Sequence, residues 1–463
     1  VTEKLYLGEV SVLTAIYMPG FDPVVGRLRR SMIDVYMCEN GWSIQDERFY
    51  VEVGPQQGAL EVLHLCERPG QLGEGGGQVY ESHVSRPVET YTYVLKFDDI
   101  RQEIDEIAVP WRKIPDPASF ARAIDAYREV LDQLAAEPDE AAGDAPSLAP
   151  GIARAWDHLV GPGDKEGEEK AQYGALISTF EGYVKTLAPA LGGCRGIADA
   201  LCRALDAQQA LWEGVVRDVP HVLSRVADAC DTMVSSGSPG QIDLALDSGR
   251  LVFSVLPLPS APLGIATADR PVTLTAVGLV SSDSAQHSLR VESFDGAVEA
   301  FRAIMNGPTH SFSLNKIVTS AEVQVLASLA DSAGAVEDNR DAFKMAPGQD
   351  TSKSGNFRID PVRSGKVVEE MRDVGEELAR IARLISGAVA AYGLRGAGRR
   401  SLVDRDEIIG IGSAGPGDAF LELTGVLQRL LIFLSEQVYA VAEGLRRAMS
   451  HMLQVDADTQ TRF

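Results

Sequence analysis

The side chains that most often carry chemistry are present in this sequence but scattered. The histidines are His64, His83, His158, His221, His287, His310 and His451. No two of them form H-E-x-x-H or H-x-x-x-H, the spacings that put two imidazoles on one helix face for a metal. His64-Leu-Cys66 sets an imidazole and a thiol on one strand face, which could seed a metal or a Cys–His pair; an ordinary sheet residue is the simpler reading. The cysteines Cys38, Cys66, Cys194, Cys202 and Cys230 include no C-x-x-C pair, so buried reduced thiols are expected, with a Cys38–Cys66 bridge between strands left open. There is no G-x-S-x-G nucleophile turn, and no pair of carboxylates can be picked as acid and base without geometry.

Two glycine-rich stretches could approach phosphate. Gly410-Ile-Gly-Ser-Ala-Gly415 satisfies G-x-G-x-x-G, but a dinucleotide site places that motif after a buried strand of a βαβ unit. Here a long helical pattern and the polar run Arg399–Glu407 come first, so the stretch reads as a flexible joint between helices. Gly70–Gly77 lacks the Lys-Ser/Thr of a phosphate loop and carries Glu74, so it reads as a hairpin loop. From sequence no catalytic, cofactor-binding or metal residues are assigned, and no cofactor is expected.

The elements that would position any site are clearer. With 463 residues the chain has material for about three domains. A net charge of −23 argues against nucleic-acid partners and anionic membrane surfaces. No apolar run approaches the ~18 residues of a membrane span, so no membrane insertion is expected. The first residues show no basic region followed by an apolar one, so location in the cytoplasm, or export without a Sec signal, is expected.

The expected class is α+β and multi-domain. Residues 1–110 read as a β-rich domain, with strands at Leu5–Met18, Ile33–Met37, Phe49–Val53, Leu60–Cys66 and Thr90–Phe97. Residues 116–235 read as a helical bundle with an acidic linker near 135–151. Asp116 and Pro117 open its first helix, breaks are allowed at Gly192-Gly193 and Gly214, and Pro220 is expected to kink or end a helix. Residues 236–332 read as a second β-rich region with short helices, including a hairpin of Ile242–Leu246 with Leu251–Val255. Helices are expected at Asp295–Met305 and Ser320–Leu329, then an irregular stretch, Ala333–Gly355.

Residues 356–463 read as an antiparallel helical hairpin. Val367, Met371, Val374, Leu378, Ile381 and Ile385 recur at intervals of three and four, continuing to Ala388 and Tyr392. Phe420, Leu423, Leu427, Leu430, Leu434, Val438, Val441 and Leu445 do the same. The expected interface residues are Leu423, Leu427, Leu430, Leu434, Val438, Val441, Leu445, Met371, Leu378 and Ile381. The run Leu430-Leu-Ile-Phe-Leu434 is apolar on every side of a helix and must be covered by neighbouring domains or by a partner.

The residues Phe357-Arg-Ile-Asp-Pro361, Asp406-Glu-Ile-Ile409, Gly417-Asp-Ala-Phe420 and the ending Asp456–Phe463 carry a resemblance. This region resembles the W-x-G family of bacterial helical hairpins exported by type VII secretion, especially its actinobacterial relatives. The resemblance covers under a quarter of the chain. It implies pairing of hairpins and, in some members, a Y-x-x-x-D/E signal just after the second helix. Met452-Leu-Gln-Val-Asp456 holds Met at the Tyr position, Tyr439-Ala-Val-Ala-Glu443 matches inside the helix, and the W-x-G itself occurs only at Trp212-Glu-Gly214. The expected function is a non-enzymatic interaction or structural protein that associates with a protein partner or with itself. The alternatives are an enzyme or toxin centred in the β-rich regions, and a self-assembling scaffold or shell.

Overall fold

In the middle of the chain apolar residues recur at helical spacing across every expected break. The computed structural model resolves them as one helix, α5 (Ala175–Ser236, 62 residues), about 90 Å long at 1.5 Å per residue. It describes residues 15–53, 62–81, 92–135, 148–161, 172, 174–244, 262–267, 270–273, 287–307, 313–347, 359–391, 408–411 and 415–460. Gly192, Gly193, Trp212, Gly214 and Pro220 all lie inside α5, so the expected breaks and the Pro220 stop are corrected. A proline removes one helix hydrogen bond and costs about 3 kcal/mol. Val219, Val222 and Leu223 beside it are fully buried, and each such side chain contributes about 1.5–3 kcal/mol. Packing on both sides of Pro220 outweighs the lost bond.

Strand β1 (Ala15–Tyr17) leads into α1 (Phe21–Glu39). The expected strand Ile33–Met37 is corrected, since it lies in this helix. Phe21, Val25, Leu28, Met32 and Val35 give α1 a buried face at helical spacing. A four-stranded antiparallel meander follows: β2 (Ser43–Gln45), β3 (Arg48–Val53), β4 (Val62–Glu67) and β5 (Val79–Glu81). Gly70–Gly77 connects β4 to β5, as expected of a hairpin loop. Gly77 has φ +90°, and a Cβ there would meet the backbone of Val94, so glycine is required. Then comes α2 (Val94–Ala108), which replaces the second half of the expected strand Thr90–Phe97. Residues 5–14 of the first expected strand lie outside the described residues.

After β6 (Lys113–Pro115), which pairs with β1, Asp116 accepts from the Ala118 N–H at 3.0 Å and caps a short 3-10 turn. This leads into α3 (Ala121–Gln133). Of the acidic linker, residues 136–147 lie outside the described residues, while its end belongs to α4 (Ala149–Val160). Beyond α5, β7 (Gly240–Leu244) pairs antiparallel with β10 (His287–Val291). The other expected strand of its hairpin, Leu251–Val255, lies outside the described residues. Between them β8 (Pro262–Thr267) pairs with β9 (Arg270–Thr273).

Helices α6 (Phe294–Asn306) and α7 (Leu314–Asp338) open on serine caps: Ser293 accepts from Gly296 N–H and Ser313 from Lys316 N–H, both at 3.1 Å. The expected irregular stretch from Ala333 is corrected: α7 continues to Asp338, with Val336 buried beneath it.

The C-terminal hairpin forms as α8 (Pro361–Ala391) and α9 (Gly417–Gln460). Asp360 opens α8 by accepting from Val362 N–H at 2.9 Å. The helices run antiparallel: Ser435 Oγ donates to Gly375 O at 2.7 Å, and Gln428 meets Ser386 further along. The hairpin packs on α3, α4, α5 and α7. One contiguous set of buried apolar side chains runs from Met18 to Leu445, so the hairpin shares its core with the rest of the chain. Small antiparallel sheets and predominant helix make this a mixed α+β fold. Among the described residues no helix is long and apolar enough to cross a membrane.

Candidate interaction surface

The apolar stripes of the hairpin point inward. Leu423, Leu427, Leu434, Val438, Leu445, Met371, Leu378 and Ile381 are buried in the chain's own core, while Leu430 and Val441 are half-buried. The buried path in α9 runs through Leu431 and Ala442 instead of Leu430 and Val441. A straight helix has 3.6 residues per turn, so a strict seven-residue repeat drifts about 20° per heptad. The core side therefore slips by one residue along the helix. Tyr127 Oη lies 2.9 Å from Thr424 Oγ in a buried contact, and Thr424 Oγ donates to Phe420 O at 2.8 Å. The first of these bonds joins α9 to α3, and the second lies within α9.

The opposite side of α9 is open. Asp418, Glu422, Arg429, Ile432, Phe433, Glu436, Ala440 and Arg447 are exposed there, with Gly425 and Glu443 half-buried. At 100° per residue they occupy one continuous face. Ile432 and Phe433 stand at its middle, 42 % and 38 % exposed. Arg429 and Glu436 flank them, and among the described residues neither has an ion-pair partner. The sequence held a sign of this pair: five consecutive apolar residues cannot all face one side. It did not show which two would be left outside.

The joint of the hairpin is held by α7. Asn315 Oδ1 accepts from Gly410 N–H at 2.6 Å, and its Nδ2 donates to Ile408 O at 3.0 Å. Glu322, buried, accepts from Ile411 N–H at 3.0 Å. Gly410 has φ +66°, and a Cβ there would strike the Glu322 carboxylate and Val318. The first backbone donors of the G-x-G-x-x-G stretch are therefore occupied by a carboxylate and an amide, which corrects the expectation of a flexible joint for residues 408–411. Residues 412–414 lie outside the described residues.

All five cysteines are free thiols, so the open Cys38–Cys66 bridge is not formed. Burial pushes Cys66, Cys194 and Cys202 up to about 12 and also raises Cys38 and Cys230, the reverse of an activated nucleophile. His64 sits on β4 opposite Val51 and Glu81. Among the described residues no cluster of His, Cys, Asp or Glu could hold a metal.

A cleft of about 440 Å³ lies between the ends of α1 and α5 and strand β10. Its two carboxylates and its guanidinium have partners. Glu39 Oε1 accepts from Phe294 N–H at 2.7 Å, and Arg290 pairs with Glu292 at 2.8 Å. Beside it, ion pairs tie α1 to its neighbours: Arg27 to Asp228 at 2.7 Å and Asp231 at 2.6 Å, and Arg68 to buried Asp34. Burial raises the Asp34 carboxyl despite the Arg68 guanidinium. These groups hold α1, the meander and α5 together.

Comparison with protein-family models, characterised proteins and solved structures finds no match to the chain.

Proposed function

We propose that this chain is a non-enzymatic interaction protein that associates with a protein partner through the outer face of α9. The observation that carries this reading is the exposed pair Ile432–Phe433 at the middle of that face. Covering it removes apolar area from water at about 25 cal/mol per Å², part of which is spent on association entropy. Among the described residues, the raised thiols and the Glu39 carboxylate, held by the Phe294 N–H, give the enzyme reading no comparable support. Replacing Phe433 by photoreactive benzoylphenylalanine in cells that produce the chain tests the proposal. A covalent adduct to protein is the expected result, and the absence of any adduct contradicts it.

The link to type VII secretion is carried by the resemblance of residues 356–463. Pro361 begins α8, in keeping with the resemblance, whereas Gly417-Asp-Ala-Phe420, expected between the helices, forms the first turn of α9. Helix α9 extends to Gln460, so Met452–Asp456 lies within it and not after it. Export is tested by fractionating culture supernatants with and without the secretion ATPase. Protein retained wholly inside cells in both cases would count against the link.

A further inference from the structure

The exposed stripe of α9 has a symmetric order about its middle. With Ile432 and Phe433 at the centre, Arg429 and Glu436 stand three residues out on either side. Next come Gly425 and Ala440, both small, then Glu422 and Glu443, then Asp418 and Arg447. Glu443 is not a bare negative charge. Arg446 and Arg447 bind it at 2.6 and 3.0 Å and hold its carboxyl at about 2, so this group of three is positive overall. Arg429 is thus mirrored by Glu436 and Asp418 by Arg447, while Glu422 is mirrored by Glu443, whose charge Arg446 and Arg447 outweigh.

We infer that α9 pairs with α9 of a second copy of this chain, antiparallel, about a two-fold axis passing between Ile432 and Phe433. In a two-fold contact, residue i meets residue j while j meets i. Ile432 of each copy then covers Phe433 of the other. Arg429 faces Glu436 twice, which supplies partners for both charges. Gly425 and Ala440 let the backbones approach, and Asp418 and Glu422 face the cluster of Glu443, Arg446 and Arg447. The buried stripe takes no part, because the chain's own helices fill it.

The choice of a second copy over another protein rests on this charge order, which a partner of different sequence would not require. The outer stripe of α8 makes the contrast. Paired the same way about Arg372 and Asp373, it would set Glu369 against Glu376, a like-charge contact that is destabilising and that, unlike Glu443 with Arg446 and Arg447, has no arginine bound to it among the described residues. The inference rests on the association reading above, and the cross-link separates the two. An adduct of twice the chain's mass supports self-pairing. An adduct only to a different protein overturns self-pairing and leaves association standing. No adduct overturns both.

Sedimentation equilibrium of the full chain supplies the quantitative test, from about 1 to about 100 μM. A dimer is expected. Phe433→Asp should raise its dissociation constant about 30-fold or more with the circular dichroism spectrum unchanged. Arg429→Glu and Glu436→Arg alone should each raise it about 3- to 10-fold, and the double exchange should recover most of the loss, since both pairs are then restored in reverse. A monomer at every concentration, a dimer indifferent to Phe433→Asp, or a double exchange no better than the single ones would overturn the inference.

Discussion

Helices α8 and α9 bury matching stripes and expose different ones. On α8 the outer positions are mainly charged, including Lys366, Glu369, Arg372, Asp373, Glu376, Arg380 and Arg383. One of these is tied locally, Arg380 to Glu377. On α9 the outer positions hold an apolar pair at the centre and, beside it, two charges with no ion-pair partner among the described residues. Both helices face the same core and come from the same hairpin, so the fold alone does not demand the difference. A face made of charges stays solvated, whereas an apolar centre exposes area that contact would cover. The lesson is that helical spacing locates the core side, while the opposite side says whether anything else is to be met.

Leu434→Asp places a carboxylate in the core side of α9 and should destabilise the chain by more than about 4 kcal/mol, read by urea unfolding. Phe433→Asp, one residue earlier on the open side, should change stability by less than about 1 kcal/mol while weakening association as above. If the two substitutions had equal effects on unfolding, the division into inner and outer faces would be wrong.

Tyr127→Phe removes one buried hydroxyl contact with Thr424 and leaves the Thr424–Phe420 bond in place, for a cost of about 1 kcal/mol in unfolding free energy. Arg380→Glu on the outer face of α8 should shift stability by less than about 0.5 kcal/mol and leave association unchanged, because its pair with Glu377 is solvent-exposed. A loss of association in this variant would move the contact surface from α9 to α8.

Long patterns were legible in the sequence and short ones were not. The stripes of α8 and α9 persist over many turns, and Asp116 and Pro117 opened a helical turn as expected. Ile33-Asp-Val-Tyr-Met37 alternates, but five residues span less than one and a half helical turns, too few to separate a period of two from one of 3.6. The wider window from Phe21 to Val35 carries the helical spacing. For Thr90–Phe97 the deciding residues were Phe97, Ile100, Ile104 and Ile107, beyond the threonines and tyrosines that suggested a strand. Pro220 was misread because propensity is local and the packing of Val219 and Val222 is not. The candidate surface was half visible. The apolar run Leu430–Leu434 announced that something had to remain outside, but only the slip of the core side to Leu431 leaves Ile432 and Phe433 exposed.

The clamp on Gly410 and Ile411 bears on the order in which the chain folds. Its acceptors, Asn315 and Glu322, lie some ninety residues before the backbone groups they hold. Contacts of such long sequence separation form late and slow folding. Residues 356–463 made alone would therefore keep their stripes and lose the groups that hold the joint. The two helices are local in sequence, but the turn between them is completed by another part of the chain.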